Sequence, residues 1–302
     1  MEKEKTRKPV GRPRNDTSKC KIARQGIVYE PSDQDNAIEL YFAIPAVFKK
    51  LYSLYKNIGV QQIYIKFDAK EVSFIAQAFS DETIAKTSID CTKAHRYYCQ
   101  TPVELIVSRE ASEKVINRID PKFFDSITFV VKKFTAEINE MIIILNNPNL
   151  DSVSTHKLNL TMVKDYPIVD DWSTIKYPLN FRLKRQEFKK YTSDIESIAD
   201  TLTIQKMGKY NMKFNYSKEG GILCVSDVFT NSAKIQMDSK LTDKEIVAAT
   251  VKISEIKAIS NSQIADEVII YVDNTRKIML KFYMDEAITT KVLINIENYR
   301  QP

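Results

Sequence analysis

The sequence predicts an α+β protein with two similar domains per chain. Segments with a helical period are few, segments of alternating or β-branched residues are many, and both kinds recur in the same order in each half of the chain. The 302 residues suffice for two domains of about 130 residues, each able to bury its own core. We therefore expect one structural unit that is present twice.

The first half contains two predicted helices among short strands. After a strand at Ala37–Ala43, a helix is expected from Pro45 to about Asn57, because apolar residues recur at i, i+4, i+7, i+8 and i+11 from Val47. A second helix is expected near Ser108–Ile119. The remaining strands of this half are predicted at 61–67, 71–79, 83–89, 126–132, 140–145 and 154–163.

A connector is predicted at 164–178, where two prolines, three aspartates and Trp172 interrupt any period. It separates a first domain at 36–163 from a second at 179–302. The second domain repeats the pattern with helices near 184–199 and Ile253–Asn261 and a tight turn at Gly220-Gly221. Its strands are predicted at 201–206, 210–217, 222–229, 232–239, 267–273, 277–284 and 290–296.

The first 25 residues of the N-terminal arm, which spans residues 1–35, carry the net charge of the chain. Residues 1–25 hold nine Lys/Arg and three Asp/Glu, which equals the whole excess of +6, and the absence of hydrophobic periodicity predicts disorder. GRPR at 11–14 resembles an AT-hook core, whose arginines lie along a narrow A·T minor groove. The alternative is general phosphate attraction or a targeting tail. The DNA-binding candidates of the arm are Arg7, Lys8, Arg12 and Arg14.

Several classes of enzyme are excluded by composition. Six glycines cannot form GxGxxG or GxxxxGK[ST], and two histidines leave little room for histidine-based catalysis. Asp165, Asp170 and Asp171 could indicate a metal-dependent nuclease, but their position in a connector favours solvated charge. We expect a protein that is not an enzyme, without catalytic residues and without a cofactor.

Cysteine usage and hydropathy indicate an intracellular, reducing compartment. The four cysteines form no CxxC pair, no apolar run is long enough to cross a bilayer, and the charged N-terminus differs from a secretory signal. Cys91-x3-His95-x3-Cys99 is one possible metal cluster, but its spacing is wide and a fourth ligand is missing nearby. Unreactive or buried thiols are the alternative, and we expect no metal and no membrane partner.

Matching residues at nearly one offset support an internal repeat. Val47–Lys50 recurs as Glu187–Lys190 at an offset of 140, and Ser112-Glu113 recurs as Ser254-Glu255 at an offset of 142. The strand around Ile127 corresponds to the strand around Val268, at 141. Because FKK and SE are common, coincidence is the alternative.

The predicted helices are basic, whereas the rest of the body is acidic. Segments 44–57, 109–118, 183–199 and 252–262 contain twelve Lys/Arg and six Asp/Glu. Such a face is either ordinary solvated charge or one surface that binds a polyanion such as DNA. The candidates for this surface are Lys49, Lys50, Lys56, Lys114, Arg118, Lys184, Arg185, Lys189, Lys190 and Lys257.

With these features, residues 36–296 resemble DNA sliding clamps of the PCNA (proliferating cell nuclear antigen) family, including those of large cytoplasmic DNA viruses. IYIKFDAKEVSFIAQ at 63–77 is similar to a clamp strand pair that turns after apolar-Asp. EIKAISNSQIADEVIIYVDNTRKIMLKFYM at 255–284 is similar to the last helix and hairpin of the family. The basic arm, the sequence of the connector and the C-terminal sequence KVLINIENYRQP differ from the family pattern.

The resemblance implies a ring-forming sliding-clamp fold with outer β-sheets and inner α-helices. Three chains would form a homotrimer with twelve helices, and helix spacings of 8–10 Å leave a hole of roughly 20–28 Å, wide enough for duplex DNA. The implied function is a processivity factor in DNA replication and repair that binds double-stranded DNA without sequence specificity. It would tether DNA polymerase, and ligase or nucleases, at viral replication sites in the host cytoplasm or nucleus. The alternative is an architectural or regulatory AT-rich DNA-binding protein that acts through its arm.

The resemblance also implies a subunit interface and a site for clamp-binding peptides. By position, the interface would pair edge strands at Glu140–Leu145 and Ala233–Asp238, including Ile142, Ile143, Ile144, Ile235 and Met237. Peptides would bind beneath the connector, although its aromatic residues could equally fix the connector to its own sheet. The peptide-binding candidates are Phe67, Val72, Ile168, Val169, Trp172, Ile175, Tyr177, Leu293, Ile294 and Ile296.

Overall fold

The computed structural model describes residues 31–79, 83–120, 123–133, 140–147, 151–160, 177–207, 211–218, 224–230, 235–239, 246–273 and 277–295. The helices in these ranges are α1 (Ala46–Asn57), α2 (Arg109–Ile116), α3 (Arg185–Glu196) and α4 (Ile253–Ser260). The strands of the first half are β1 (Asn36–Phe42), β2 (Val60–Phe67), β3 (Glu71–Ala78), β4 (Thr83–Asp90), β5 (Arg96–Cys99), β6 (Val103–Ser108), β7 (Ser126–Lys132), β8 (Glu140–Asn147) and β9 (Ser152–Asn159). Those of the second half are β10 (Leu179–Lys184), β11 (Thr201–Met207), β12 (Asn211–Ser217), β13 (Cys224–Thr230), β14 (Ile235–Ser239), β15 (Ala248–Lys252), β16 (Glu267–Val272), β17 (Lys277–Tyr283) and β18 (Ile288–Asn295).

The strands form three antiparallel sheets whose orders repeat. The five-stranded sheet has the order β5-β1-β7-β8-β9, and the four-stranded sheet has the order β13-β12-β11-β15. The nine-stranded sheet joins one further copy of each order, β14-β10-β16-β17-β18 and β4-β3-β2-β6. We call β1–β9 with α1 and α2 the first unit, and β10–β18 with α3 and α4 the second unit. The repeat predicted from the sequence is therefore present, as two similar domains.

The two units are joined where β18 pairs with β4, from Ile288↔Ile89 to Ile294↔Thr83. We call this pairing the joint. A chain of hydroxyl groups crosses it: the Tyr55 hydroxyl lies 3.1 Å from Thr87 Oγ1, which lies 2.9 Å from Thr290 Oγ1. All three side chains are buried. Buried hydroxyls need such partners, so this network fixes the register of the joint as well as stabilising it.

The helices begin and end where the local sequence dictates. Ser108 Oγ accepts the Ala111 N–H at 3.3 Å and caps α2, and Pro45 precedes the first residue of α1. The chain leaves α1 at Gly59, whose φ of +77° lies in the left-handed region that favours glycine. No helix in the described ranges is long and apolar enough to cross a membrane.

The core of each unit lies between its sheets and the buried face of its helices. In the first unit, Phe48 of α1 packs against Phe129 of β7, with ring centroids 4.9 Å apart, and against Phe42 of β1 at 5.3 Å. Phe74 of the nine-stranded sheet completes this aromatic cluster. At the equivalent position of the second unit, Phe188 of α3 is also buried. Phe48 and Phe188 thus anchor equivalent helices, and the opposite faces of α1 and α3 remain in solvent.

The four helices form one continuous layer in the order α2-α1-α4-α3. α1 packs against both α2 and α4, and α4 packs against α3. Asn57 Nδ2 donates to Ser262 Oγ at 3.1 Å where the two units meet, and Thr192 and Ser260 share a buried hydroxyl contact of 2.8 Å between α3 and α4. This helical layer continues across the joint, so the helices of both units share one surface, as the charge pattern predicted.

The prediction that Glu140–Leu145 is an edge strand is wrong. This segment belongs to β8, which pairs with β7 on one side and with β9 on the other. Ile142 and Ile143 are buried and Ile144 is half-buried, because an apolar run of this kind is covered on both faces of an inner strand. The strand predicted at Ala233–Asp238 is β14, which does lie at an edge. Sequence reasoning also missed four short strands, β5, β6, β10 and β15.

Candidate nucleic-acid interface and its surroundings

The exposed face of the helical layer carries most of the predicted DNA-binding cations. Eight of the ten candidates are exposed, and Arg185 and Lys257 are half-buried. The layer brings these residues of both units to one side of the molecule. The eight exposed candidates are Lys49, Lys50, Lys56, Lys114, Arg118, Lys184, Lys189 and Lys190.

Equivalent lysine pairs on α1 and α3 are the clearest feature of this face. Lys49-Lys50 and Lys189-Lys190 each follow the buried phenylalanine of their helix, so helical geometry directs both pairs away from the core. Lys49 Nζ also donates to the carbonyl oxygen of Ile119 at 3.2 Å, which ties α1 to the end of α2. Neither pair forms a salt bridge to any described carboxylate, so both are available to an anion.

Other predicted cations are partly neutralised within the layer. Lys56 lies 3.5 Å from Glu113, and Lys114 lies 3.0 Å from Glu110. Arg185 pairs with Asp266 at 3.7 Å, and Lys257 pairs with Glu196. Because the neighbouring carboxylate offsets part of each positive charge, these residues attract an anion less strongly than the lysine pairs of α1 and α3.

One end of the helical layer lies beside a strand edge. Burial lowers the pKa of the His156 imidazole on β9, and the positive charge of the nearby Arg118, which follows α2, lowers this pKa further. β9 ends its sheet, since it pairs only with β8 among the described strands. One basic end of the layer therefore meets an edge of the first unit.

Among the described strands, two edges lack the partner that their repeat equivalents have. In strand order, β9 of the first unit corresponds to β18, and β13 of the second unit corresponds to β4. β18 and β4 pair with each other in the joint, whereas β9 and β13 are left at the ends of the two smaller sheets. Each of these edges exposes a valine, Val153 at 62% and Val228 at 58%. Long exposed edges are usually covered by pairing.

The structure corrects part of the predicted peptide site. Phe67, Val72 and Ile294 are fully buried because they face the core, so a peptide cannot contact them. Leu293 lies on the outer face of the nine-stranded sheet with Met279, Ile84, Tyr271 and Tyr177, and the rings of Tyr177 and Tyr271 meet edge-on at 5.5 Å. Leu293 itself is only 6% exposed. The other predicted residues, Ile168, Val169, Trp172, Ile175 and Ile296, lie outside the described residues.

Two further predictions fall wholly or partly outside the described residues. Arg7, Lys8, Arg12 and Arg14 of the arm belong to residues 1–30, which are not described. Ile235 and Met237 are described only as backbone positions of β14. Both predictions stay predictions.

The Cys91–His95–Cys99 cluster shows no geometry of a metal site. Cys91 Sγ lies 3.7 Å from the Ile89 carbonyl oxygen, Cys99 Sγ lies 3.4 Å from that of Thr101, and the His95 ring packs edge-on against Phe42. Burial raises the pKa of the Cys91 thiol to about 12, which disfavours the thiolate that a metal requires. Within the described ranges, no group of three or more His, Cys, Asp or Glu could hold a metal ion.

Comparison with solved structures identifies the fold. No protein-family model matches the chain. The PCNA of Entamoeba histolytica superposes with a TM-score of 0.71 at 16% identity, covering 86% of this chain and 98% of that one. The PCNA of Thermococcus kodakaraensis gives 0.71 at 14% identity, covering 85% and 99%. The chain therefore has the PCNA sliding-clamp fold, as predicted from the sequence.

Among curated proteins, the chain is similar to uncharacterized proteins of African swine fever virus. Those of a Kenyan pig isolate and of the Badajoz strain are each 23% identical over 299 residues, which cover 97% of this chain and 98% of the viral protein. The similarity thus includes residues beyond the two folded units, in the direction of the N-terminal arm.

Sequence reasoning missed the two valine edges. Val153 and Val228 alternate with mostly polar residues along one side of their strands, and exposed apolar residues of this kind are ordinary on protein surfaces. The usable signal is the repeat: once strand order is known, these strands are the ones whose equivalents are paired. The sequence alone does not supply strand order.

Proposed function

We propose that this protein is a DNA sliding clamp, a processivity factor that encircles duplex DNA as a homotrimeric ring and tethers replication and repair enzymes. One observation carries the proposal: the joint within the chain uses β18 and β4, and their equivalents β9 and β13, on opposite units, each have one edge with no partner among the described strands. Repeating the joint between chains would pair β9 of one copy with β13 of the next. A head-to-tail contact of this kind generates a ring if its rotation closes.

We call this proposed pairing of β9 with β13 of the next chain the seam. Its register follows from the repeat. In the first unit, Thr128 of β7 pairs with Ile144 of β8, which pairs with Thr155 of β9. In the second unit, the equivalent path runs from Ile269 of β16 through Lys281 of β17 to Lys291 of β18. Thr155 therefore corresponds to Lys291. In the other half of the nine-stranded sheet, Tyr64 of β2 pairs with Ile75 of β3, which pairs with Lys86 of β4. The equivalent path in the second unit runs from Thr203 of β11 through Asn215 of β12 to Ser226 of β13. Ser226 therefore corresponds to Lys86.

Lys291 and Lys86 are directly opposite in the joint, which sets Thr155 opposite Ser226 in the seam. Two residues along each strand, Val153 comes opposite Val228, and in the other direction Lys157 comes opposite Cys224. The two exposed valines would thus cover each other, which is the physical reason to prefer this pairing. The seam proposed from the structure replaces the one predicted at Glu140–Leu145.

The helical layer would form the inner wall of the ring. α2 and α3 end the layer, so a repeated joint would bring α3 of one copy against α2 of the next and continue the layer around the hole. The lysine pairs of α1 and α3 would then face DNA at regular intervals. Contacts of this kind bind phosphate without reading base sequence, so the ring could slide.

The protein would act as a tether rather than as an enzyme. A polymerase, ligase or nuclease bound to the ring through a short peptide stays near its template at high effective concentration. The viral relatives favour a host-cell, intracellular site of action, which we place at viral replication sites in the cytoplasm.

The test combines mass with DNA topology. Sedimentation equilibrium should give about three times the chain mass of 34.8 kDa, persisting at raised salt. The protein, loaded onto a nicked circular plasmid, should remain bound after a salt wash and should be released when the plasmid is cut once, because a ring slides off an end. A monomer or dimer, or equal release from circular and cut DNA, would overturn the proposal.

Deleting residues 1–25 provides the matched control. If the arm alone accounts for DNA binding, as in the architectural alternative, the deletion abolishes retention on the circle and on cut DNA alike. If the ring accounts for it, the truncated protein is still retained on the circle.

A further inference from the structure

The last five residues of the N-terminal arm, 31–35, fold back onto β1, and we call them the strap. The strap is anchored by the carboxylate of Glu39 on β1, which is only 2% exposed. Glu39 Oε1 accepts a hydrogen bond from the backbone N–H of Ser32 at 2.7 Å and a second from the Ser32 hydroxyl at 2.6 Å. One buried carboxylate therefore holds the strap through two donors of the same serine.

The rest of the strap is held by backbone hydrogen bonds at the surface. The Asn36 N–H donates to the Asp33 carbonyl at 3.0 Å, and the Lys133 N–H donates to the Asp35 carbonyl at 2.8 Å. Ser32 itself is exposed. Because surface segments held by few hydrogen bonds open at low free energy, an enzyme can reach the Ser32 hydroxyl without unfolding the sheet.

The contact between Ser32 and Glu39 depends on the hydroxyl being a donor. Asn36 Nδ2 also donates to Glu39 Oε1, and Arg96 Nη2 lies 3.3 Å from Oε2. A group at Ser32 that removes the hydroxyl hydrogen and adds negative charge would turn this attraction into repulsion. Phosphorylation does both, because the ester oxygen carries no hydrogen and the phosphate adds about −1.5 to −2 charge at pH 7.

The residues after Ser32 are acidic, with Asp33 one position and Asp35 three positions further on. Protein kinases select substrates partly by the charge pattern around the hydroxyl, so this pattern suits a kinase with a basic substrate cleft. Ser32 is the only serine or threonine of the arm with acidic residues at both positions. The others, each followed by lysine or arginine within two residues, are Thr6, Thr17 and Ser18.

The same acidic pattern follows two other residues of the chain, Ser193 and Thr242. Ser193 is exposed but lies within α3, which packs against α4, and a packed helix opens at a higher free energy than a surface strap. Thr242 lies outside the described residues. The structure therefore distinguishes Ser32 from Ser193, which the sequence pattern does not.

We propose that Ser32 is a phosphorylation site at which an acid-directed serine kinase releases the strap from β1 and lowers the affinity of the arm for DNA. The Ser32 hydroxyl oxygen attacks the γ-phosphorus of ATP, and the bond from that phosphorus to the bridging oxygen of ADP breaks. The hydroxyl proton passes to a base of the kinase, and ADP leaves. The new phosphate is repelled by Glu39 and by its neighbours Asp33 and Asp35, so the strap leaves β1.

The effect on DNA follows from the charge of the arm. Residues 26–35 contain three carboxylates and no lysine or arginine, so the net charge of residues 1–35 is +3. A phosphate of about −2 lowers this charge to about +1, which weakens attraction to the phosphates of DNA. This consequence rests on the predicted DNA binding of the arm, whereas release of the strap does not.

The test begins with the full-length protein, a purified acid-directed casein kinase and ATP. Mass spectrometry should place the phosphate on Ser32 and leave Ser193 unmodified, and Ser32→Ala should abolish the modification. Hydrogen exchange should then become about tenfold faster at the backbone amides of Ser32, Asn36 and Lys133, which donate within and beside the strap. Ser32→Glu should reproduce part of this change. Ser32→Gln, the matched control without charge, should change exchange less, because its amide can still donate to Glu39.

Two outcomes would overturn release of the strap. One is phosphorylation at Ser193 with none at Ser32. The other is phosphorylation of Ser32 with unchanged or slower exchange, which would mean that Arg96 holds the phosphate in place.

Gel shifts on a short linear duplex test the second part. The phosphorylated protein should bind about fivefold more weakly than the unmodified protein at low salt, and deletion of residues 1–25 should remove this difference. Equal DNA affinity with a released strap would overturn the effect on DNA. Because β1 lies three strands from the seam strand β9, phosphorylation should leave the sedimentation mass unchanged. A monomer before phosphorylation refutes the ring and not the site.

Discussion

The seam register makes a prediction that cysteine substitutions can test. Val153→Cys together with Val228→Cys should cross-link neighbouring chains under mild oxidation. Directly opposite residues on antiparallel strands have Cβ atoms about 4.5–5.5 Å apart, and a disulfide needs about 3.5–4.5 Å, so only a small adjustment is required. Lys157→Cys alone should also cross-link, because the native Cys224 is opposite it in the proposed seam.

The matched control is Val153→Cys alone. It is four residues along β9 from Lys157, which corresponds to about 13 Å at 3.3 Å per residue, so its thiol cannot reach Cys224 of the next chain. A second control is Thr289→Cys with Ser88→Cys, the equivalent pair in the joint, which should form a disulfide within one chain.

Non-reducing gels and native mass spectrometry give the readout. We expect covalent dimers and trimers of the 34.8 kDa chain and nothing larger, because a closed ring has no free edge. The reasoning is refuted if the joint control oxidises but neither seam variant cross-links, or if Val153→Cys alone cross-links as efficiently as Lys157→Cys. A ladder that continues beyond three chains would refute closure.

Four further predictions concern the wall, the joint, the arm and the connector. Lys189→Gln with Lys190→Gln should reduce the slope of log affinity against log salt by about 0.9 for each phosphate that is no longer neutralised, equally for all duplex sequences, whereas Lys70→Gln and Lys218→Gln should not. Thr290→Val should lower the free energy of unfolding by about 0.5–1.5 kcal/mol in denaturant titrations because Thr87 is deprived of a hydroxyl partner, and Thr290→Ser should restore it. Deleting residues 1–25 should weaken binding to linear A·T-rich DNA in gel shifts without changing the sedimentation mass. Trp172→Ala with Ile168→Ala should abolish peptide capture at unchanged melting temperature; a large drop in melting temperature with capture intact would assign these residues to fixing the connector.

The features predictable from the sequence are those set by near neighbours in the chain. The helix from Pro45 was predictable because the spacing of its apolar residues can be read from a short stretch of sequence, and Phe48 is buried as that spacing requires. The offset of the repeat then predicted the second lysine pair on the equivalent helix. Charge segregation predicted that the helices share a surface, and α1 does pack against the helix of the other unit.

Strand order was not predictable, because pairing partners lie far apart in the chain. The run of isoleucines in β8 has the composition of an aggregation-prone edge and equally that of an inner strand, and periodicity cannot distinguish these. The alternation of β2 and β3 likewise does not say which residues face inward, so Phe67 and Val72 were assigned to a peptide although they belong to the core.

The joint also has a consequence for how the chain folds during synthesis. Thr87 and Thr290 are 203 residues apart in the chain, so β4 cannot pair with β18 until almost the entire protein has been synthesised. Until then, the first unit has its helices and most of its core but carries an unpaired strand edge, which can pair with another nascent chain. Contacts of such long sequence separation also form slowly. Translation that stops just before Ile288 would yield a protein with β4 exposed, and such a product should aggregate or associate with chaperones rather than assemble.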